Sequence, residues 1–388
     1  MNHAVVIAPD SFKGTISAAA AAQALAEGWH GERPADDVRL LPMADGGEGT
    51  VDAFATAVPG ARRMPVTVAG PEGAEVAASW VLLPPTPDAP GGTGVVELAS
   101  TSGIELLGTP PRLRPFDAHT RGFGEAIAAA LAHGVSRLVL GIGSSSSTDG
   151  GAGMLTALGA RFADAEGAPI VDGARGLADV AVADLSRLAA LPPGGVTVLS
   201  DVTHPLLGER GAAAVFGPQK GTAPEDIPAL DAGLARFAEV LGAAALRADR
   251  VASSRPSLST RAAGSGAAGG TGFGLLAWGA TLVPGSAAVA ELVGLGSALA
   301  AASLVITGEG SYDGQSSAGK VPAHVGSLAA AAGVPVDLVA GRIAEDADVS
   351  AFAATASLTA LAGSAEAAMA DPARWLAAAG AALARAAG

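Results

Sequence analysis

The chain has no cysteine in its 388 residues. That excludes disulfides, thiolate metal sites and a cysteine nucleophile, and leaves a cytoplasmic enzyme as the expectation. Charge is also scarce, at 15% of residues, and its balance is acidic, with a net −14. A nucleic-acid binder needs a basic face, so this balance argues against one. An anionic small substrate stays open, provided that positive charge is placed locally. No apolar run reaches membrane-spanning length without a Gly, polar or charged interruption. The N-terminus, Asn2-His3 and then a short apolar strand, lacks the basic and long apolar regions of a signal peptide. Histidine is sparse. The six are His3, His30, His119, His133, His204 and His324, and none has metal-ligand spacing or follows a strand beside G-x-S-x-G. His133, near a helix end, reads as a dipole partner, and His204 and His324 read as structural.

Lysine is the most informative scarcity. Of 23 basic residues only Lys13, Lys220 and Lys320 are lysine, and all three adjoin glycine. Ala, Gly and Arg richness suggests a coding bias that turns surface Lys into Arg. A lysine that survives it marks a place where a compact ammonium fits and a planar guanidinium does not. That reading favours function for Lys13 and Lys320 and leaves Lys220 evenly balanced.

Nearly half of the residues are apolar, and the length suffices for two domains with sizeable cores. The stretch that organises the chain is the apolar run Leu138 to Ile142, then Gly143, Ser144, Ser145, Ser146, Ser147, Thr148, Asp149 and three glycines among the next four residues. Strand, small-residue loop and helix start make a site for anions, because unpaired backbone N–H groups point out of a helix N-terminus. It is neither a Walker A loop nor G-x-G-x-x-G. The alternative is a flexible turn with Asp149 capping a helix.

The chain opens βαβα. Strand Ala4 to Ala8 leads into a loop carrying Asp10 and Lys13, and strand Val38 to Leu41 into a loop carrying Asp45, Gly46 and Gly47. This is the pattern of a parallel sheet with ligands at the carboxyl ends of its strands. Pro65 to Leu83 reads as a hairpin. Strands follow at Val95 to Leu98, 138–142, Val196 to Leu199, Leu304 to Thr307, Val336 to Ala340 and, more weakly, Ser357 to Leu361. A second glycine loop, Gly264 to Gly272, suits close packing at least as well as ligand binding. The alternating pattern resumes near the end, and Ala373 to Ala387 reads as a closing helix. The expected architecture is therefore α/β: one parallel-sheet domain built from both chain ends (1–66 and 290–388) and a second α/β domain inserted in the middle (67–289).

Aspartates, glycines, hydroxyls and three lysines in loops suit phosphoryl transfer, which is mostly positioning and charge stabilisation. An NAD-dependent oxidoreductase would need a G-x-G-x-x-G after the first strand, and 8–14 lacks it.

Six ordered motifs carry a resemblance. They are Ala8-Pro9-Asp10-Ser11-Phe12-Lys13-Gly14, 42–50 with Asp45-Gly46-Gly47-Glu48-Gly49, the 141–153 loop, Ser200-Asp201-Val202-Thr203, Phe216-Gly217-Pro218-Gln219-Lys220-Gly221 and Thr307-Gly308-Glu309-Gly310. Over residues 4 to about 342 the chain resembles the bacterial class I glycerate kinase family. The resemblance implies ATP-dependent, magnesium-requiring phosphorylation of D-glycerate, usually at the 2-hydroxyl. It also implies a Rossmann-like domain from both chain ends, an inserted α/β domain and a site between them. The chain departs from the family pattern at Arg121, at the serine run, at His204 and at Ser311, where an arginine is usual.

On this reading Lys13 contacts the transferred phosphoryl group or the substrate carboxylate. Asp10 or Asp45 orients the glycerate hydroxyl, and Asp201 is a third candidate. Ser11, Gly46, Gly47, Arg121 and Arg342 are expected at the substrate. Gly143, Ser144 to Ser147 and Lys320 are expected at the nucleotide, and Asp149, Glu309 and Asp313 at Mg2+. The expected partners are ATP and D-glycerate, without nucleic acid or membrane, acting on a monomer or homodimer. The alternatives are a kinase for a related hydroxy acid, a 3-phosphoglycerate-forming enzyme, or a non-catalytic carboxylate-binding sensor.

Overall fold

A computed structural model describes residues 3–247, 258–313 and 321–387. Lys320, and most of the polar connection 248–261, lie outside the described residues. The chain divides into two compact units. The first comprises Met1–Asp45, Asp52–Pro59 and Gly285–Gly388, and the second Gly46–Val51 and Gly60–Pro284.

The first unit is built on a five-stranded sheet of order β13-β12-β11-β1-β2. The strands are β1 (Ala4–Pro9), β2 (Asp37–Leu40), β11 (Leu304–Tyr312), β12 (Val336–Ile343) and β13 (Ala354–Ser357), and every pairing is parallel. A parallel sheet is covered on both faces, so its strands read as continuous apolar runs. β1 does so, with Val5 to Ala8 all buried. The chain leaves β1 for β2 on one side and later builds β11, β12 and β13 on the other. The strand order therefore reverses between β1 and β11, the point at which an open α/β sheet leaves a crevice at its carboxyl edge.

Helix Ala18–Glu32 packs against the closing helix Pro372–Ala386, joining the two ends of the chain in one core of Leu25, Trp29, Leu376 and Leu383. Their backbones meet directly. A Cβ on Gly28 would lie 1.8 Å from the Ala377 carbonyl oxygen, and one on Gly380 would lie 2.2 Å from that of Leu25. Buried Asp36 fastens the same corner, accepting from the His3 backbone N–H, Trp29 Nε1 and Arg33 Nε at 2.9–3.0 Å.

The second unit holds a six-stranded sheet of order β10-β9-β6-β5-β4-β3. The strands are β3 (Arg62–Ala69), β4 (Glu75–Leu83), β5 (Thr93–Glu97), β6 (Arg137–Gly141), β9 (Val196–Leu199) and β10 (Thr281–Val283). β3, β4 and β5 pair antiparallel and the remaining pairs are parallel. A small antiparallel pair, β7 (Arg161–Ala163) and β8 (Val182–Asp184), stands apart. The core runs from Phe123 and Leu140 through Met154 to Phe237, Phe273 and Trp278.

The structure corrects the sequence reading in four places. The second unit starts at Gly60 rather than 67, because Arg62–Ala69 is the first strand of the hairpin, and it ends at Pro284 rather than 289. Residues 46–51 belong to it, since Gly46 accepts the Gly143 backbone N–H at 2.9 Å. The stretch 358–361 is helical rather than extended. Ser357 ends β13 and its hydroxyl accepts from the Ala360 N–H, starting helix Leu358–Ala362 as an N-cap does. Finally, 308–312 continues β11 instead of forming a loop, with Glu309 paired to Ala340.

Substituting Gly380 by Ala drives a methyl group into the facing helix backbone. It should destabilise the protein by roughly 2–3 kcal/mol, read as a lower urea midpoint in equilibrium denaturation. An unchanged midpoint would contradict the close approach.

Candidate active site

In the first unit the carboxyl edge of the sheet gathers Asp10, Lys13, Asp45 and Glu309. The Asp10 backbone N–H donates to Gly308 O at 2.8 Å, extending the β1–β11 ladder by one bond and placing the carboxyl group at the reversal point. Its Oδ1 accepts the Ser11 N–H at 2.7 Å. Phe12, buried in the core, anchors the following loop. Thr15 closes the turn by donating its N–H and its hydroxyl to Phe12 O. Gly14 turns it at φ +75°. The anchored turn lifts Lys13 into solvent, its side chain 78% exposed, with Nζ 3.5 Å from Asp45 Oδ2. The loop lies against β11 at Gly310, where a Cβ would be in ordinary contact, at 3.4 Å, with the backbone of Phe12 and Lys13.

The charges act on one another. Asp10 is 8% exposed, and burial, reinforced by the Asp45 carboxylate, pushes its carboxyl up to about 7. Lys13 is shifted upward, mainly by Asp45 and against its own partial desolvation, so it keeps its proton throughout the neutral range. Glu309 is buried in β11, and its charge raises both groups. Ser311 and Arg342 face each other in register across β11 and β12, and Arg342 is exposed. Asp313 lies just beyond the end of β11. Among the described residues no three His, Asp or Glu side chains are gathered closely enough to hold a metal ion.

In the second unit the serine run follows β6, and most of it faces inward. Ser145, Ser146, Ser147 and Thr148 are buried, and only Ser144, at φ +58°, is exposed. Ser144 O accepts from the Ile104 N–H at 2.9 Å. Ser146 donates to Ser102 O through both its N–H and its hydroxyl, at 3.2 and 2.8 Å. Ser145 to Ser147 therefore shape the loop, and the expected phosphate donor Gly143 gives its N–H to Gly46 O at 2.9 Å, which leaves Ser144 as the exposed residue of the run. Asp149 does not present free oxygens for a metal. Oδ2 accepts from the Thr120 N–H and hydroxyl and the Gly153 N–H, and Oδ1 from the Gly151 N–H, at 2.8–3.2 Å. It ties the loop to the start of helix Ala152–Ala157.

Lys220, which the sequence leaves evenly balanced, lies inside the second unit. It is 2% exposed, and its Nζ donates to Ser145 Oγ at 2.7 Å and Ser147 O at 2.6 Å. Burial lowers its pKa to about 7, with the Asp149 charge opposing the shift. Lysine scarcity was the signal that pointed to it. Nothing in the sequence singled out Thr120, whose hydroxyl bridges Asp149 and the Met154 N–H.

The remaining candidates divide. Gly46 and Gly47 pack on the strand ends. A Cβ on Gly46, at φ +96°, would lie 2.3 Å from Leu199 O, and one on Gly143 would lie 2.5 Å from Gly47 Cα. Arg121 commits its guanidinium to Asp172 through both Nε and a terminal nitrogen, at 2.9–3.1 Å, so it is not available to a carboxylate substrate in this arrangement. Asp201 is exposed just after β9. The second glycine loop is a packing element: Gly269 O accepts the Gly150 N–H at 3.0 Å, and a Cβ on Gly269 would lie 2.0 Å from Ser147 O. His204 is structural, bonded to Arg210 O and set edge-on to Phe216. His133 likewise meets the Trp80 ring.

Fold and loops together define the class: a two-unit α/β protein with charged and glycine-bordered loops at the carboxyl ends of parallel strands, where such sheets take their ligands. A profile of the glycerate kinase family matches residues 5–388. The chain is 41% identical over 344 residues to the glycerate kinase of Bacillus subtilis strain 168, covering 88% of this chain and 86% of that one. It is 40% identical over 347 residues to the glycerate 2-kinase of Escherichia coli strain K12, covering 89% and 87%. A crystal structure of a provisionally named glycerate kinase 2 from Salmonella typhimurium LT2 superposes with a TM-score of 0.82 at 37% identity, covering 100% of this chain and 98% of that one. The chain belongs to the glycerate kinase family, whose named members are kinases and so use ATP. No described helix is long and apolar enough to cross a membrane.

Asp10 carries a stability prediction. A carboxyl group raised from 3.8 to about 7 binds more protons in the folded than in the unfolded state between those values. Folding stability contributed by this group therefore falls as pH rises through that window, and the penalty is complete above about pH 7. Asp10→Asn should stabilise the protein at pH 8, by at most about 4 kcal/mol, with the gain shrinking toward pH 4. Melting temperatures of both proteins at pH 4.5, 6 and 8 test this; a gain independent of pH would refute it.

Proposed function

We propose that the protein transfers the γ-phosphoryl group of ATP to D-glycerate, at the 2-hydroxyl. The observation that carries this reading is Asp10, a buried carboxyl group with its pKa near neutrality, beside an exposed ammonium at the reversal point of a parallel sheet. A general base works best with its pKa near the working pH. Asp10 takes the proton of the acceptor hydroxyl as that oxygen bonds to the γ-phosphorus. The bond from phosphorus to the β–γ bridging oxygen breaks, and ADP leaves. Lys13, held in place by Asp45, meets the negative charge of the transferred group or of the glycerate carboxylate, as a compact cation suits. Arg342, on the same sheet edge, is a second cation for the carboxylate. Ser144, exposed in the serine loop, offers a small polar residue to the nucleotide phosphates, whereas the Gly143 N–H is already given to Gly46 O.

Magnesium fits as an ion carried in on the nucleotide. Mg2+ needs only one or two protein carboxylates when phosphates and water fill its other positions. The buried carboxylate of Glu309 supplies the oxygen chemistry required, with Asp313 next to the same strand. The ion would neutralise phosphate charge. The 2-kinase assignment draws support from the Escherichia coli relative's name, and a cysteine-free acidic chain fits work in the cytoplasm.

An ATP-consumption assay over a panel of small hydroxy acids, with and without Mg2+, tests the reading, and phosphorus NMR of the product identifies the phosphorylated hydroxyl. Turnover with D-glycerate giving 2-phosphoglycerate is expected, and binding of glycerate without ATP consumption would reject the kinase reading. Lys13→Ala should lower kcat about tenfold to a thousandfold. Asp10→Asn should lower it about a hundredfold to ten-thousandfold. In the wild type kcat/KM should fall below about pH 7 as Asp10 takes up its proton. A flat profile from pH 5.5 to 8 would remove Asp10 from the base role.

A further inference from the structure

The chemistry above makes no use of Lys220, the only buried ammonium among the described residues. Taking an ammonium out of water is unfavourable unless fixed partners meet it. Here the partners are Ser145 Oγ and the Ser147 carbonyl, one on either side of Ser146, which is itself tied to Ser102 O. The loop is thus pinned at three successive residues, and Asp149 pins its far end to Thr120 and the following helix. The exposed residue next to these pins is Ser144, which holds a left-handed φ of +58° that serine seldom adopts. Ser147 Oγ and Thr148 Oγ1 are buried without a hydrogen-bond partner among the described residues. The loop therefore forgoes local hydrogen bonds to keep this shape, and an outside clamp accounts for that.

We infer that Lys220 is a positioning residue for the nucleotide: through Ser145 and Ser147 it clamps the serine loop so that Ser144 meets the phosphates of ATP. The inference rests on the proposed function and extends it to a residue that does not reach solvent. It predicts a selective effect. Loss of the clamp loosens ATP binding and leaves the acceptor acid, handled by other side chains, unaffected.

The experiment measures affinity for a non-hydrolysable ATP analogue by calorimetry, and steady-state KM for ATP and for D-glycerate, in wild type, Lys220→Met and Ser145→Ala. Lys220→Met should weaken ATP binding about tenfold to a hundredfold, the loss of a buried charged hydrogen bond. Its kcat should change less than about threefold and its KM for glycerate should not change. Ser145→Ala keeps the ammonium and removes one of its acceptors, and should shift KM for ATP the same way by about threefold to tenfold. Equal losses for both substrates, or unchanged analogue binding in a folded Lys220→Met protein, would overturn the inference while leaving the kinase reading intact. If Lys220→Met does not fold, Ser145→Ala decides alone, and an unchanged KM for ATP rejects the clamp. A wild type that binds no ATP analogue overturns the kinase reading and the inference with it.

Discussion

A charge removed from water must be met by fixed partners, and this requirement shapes both loops that matter here. In the first unit Asp10 is buried against Asp45 and Glu309, with one backbone donor and one nearby ammonium. The balance leaves the carboxyl poised between its two protonation states near neutrality. In the second unit Lys220 and Asp149 are each fully enclosed, and between them they take hydrogen bonds from or give them to Ser145, Ser147, Thr120, Gly151 and Gly153. There the two charged side chains are met by fixed partners, while the neighbouring Ser147 Oγ and Thr148 Oγ1 are buried without one among the described residues.

The two loops consequently have different physical characters. The Asp10–Lys13 loop keeps one buried and one exposed charge, so it can exchange protons and meet an anionic ligand. The serine loop, which has the more conspicuous sequence, turns Ser145 to Thr148 inward and uses the hydroxyls of Ser145 and Ser146 as structure. Its exposed surface is reduced to Ser144. A run of four serines thus serves mainly to hold a backbone in a conformation that its own residues do not prefer.

Family membership and geometry answer different questions. The match over residues 5–388 establishes descent and the class of chemistry. It does not say what each loop residue does, and the structure separates the candidates. Asp10, Lys13, Asp45 and Glu309 form one electrostatic group. Arg121 is spent on Asp172, and Asp149 is spent on backbone N–H groups. Arg121 is occupied by a residue 51 positions away, and Asp149 by Thr120, 29 positions away, together with the nearby N–H groups of Gly151 and Gly153.

Much of the architecture was legible in the sequence, because local physics sets it. Continuous apolar runs such as Val5 to Ala8, short and bounded by turn residues, suit covered parallel strands. The return of the alternating pattern after residue 304 pointed to a sheet built from both ends of the chain. Asp10 and Asp45, each placed just after a strand of one sheet, were identifiable for the same reason. Lysine scarcity drew attention to Lys13 and, less firmly, to Lys220. What the chain could not reveal was which way a side chain faces once distant segments meet. The continuation of β11 through Glu309 depends on pairing with β12, and the inward turn of Ser145 to Ser147 depends on Ser102 and Lys220. Such outcomes are decided by long-range contacts, in which burial and hydrogen-bond partners outweigh the local preferences that a sequence displays.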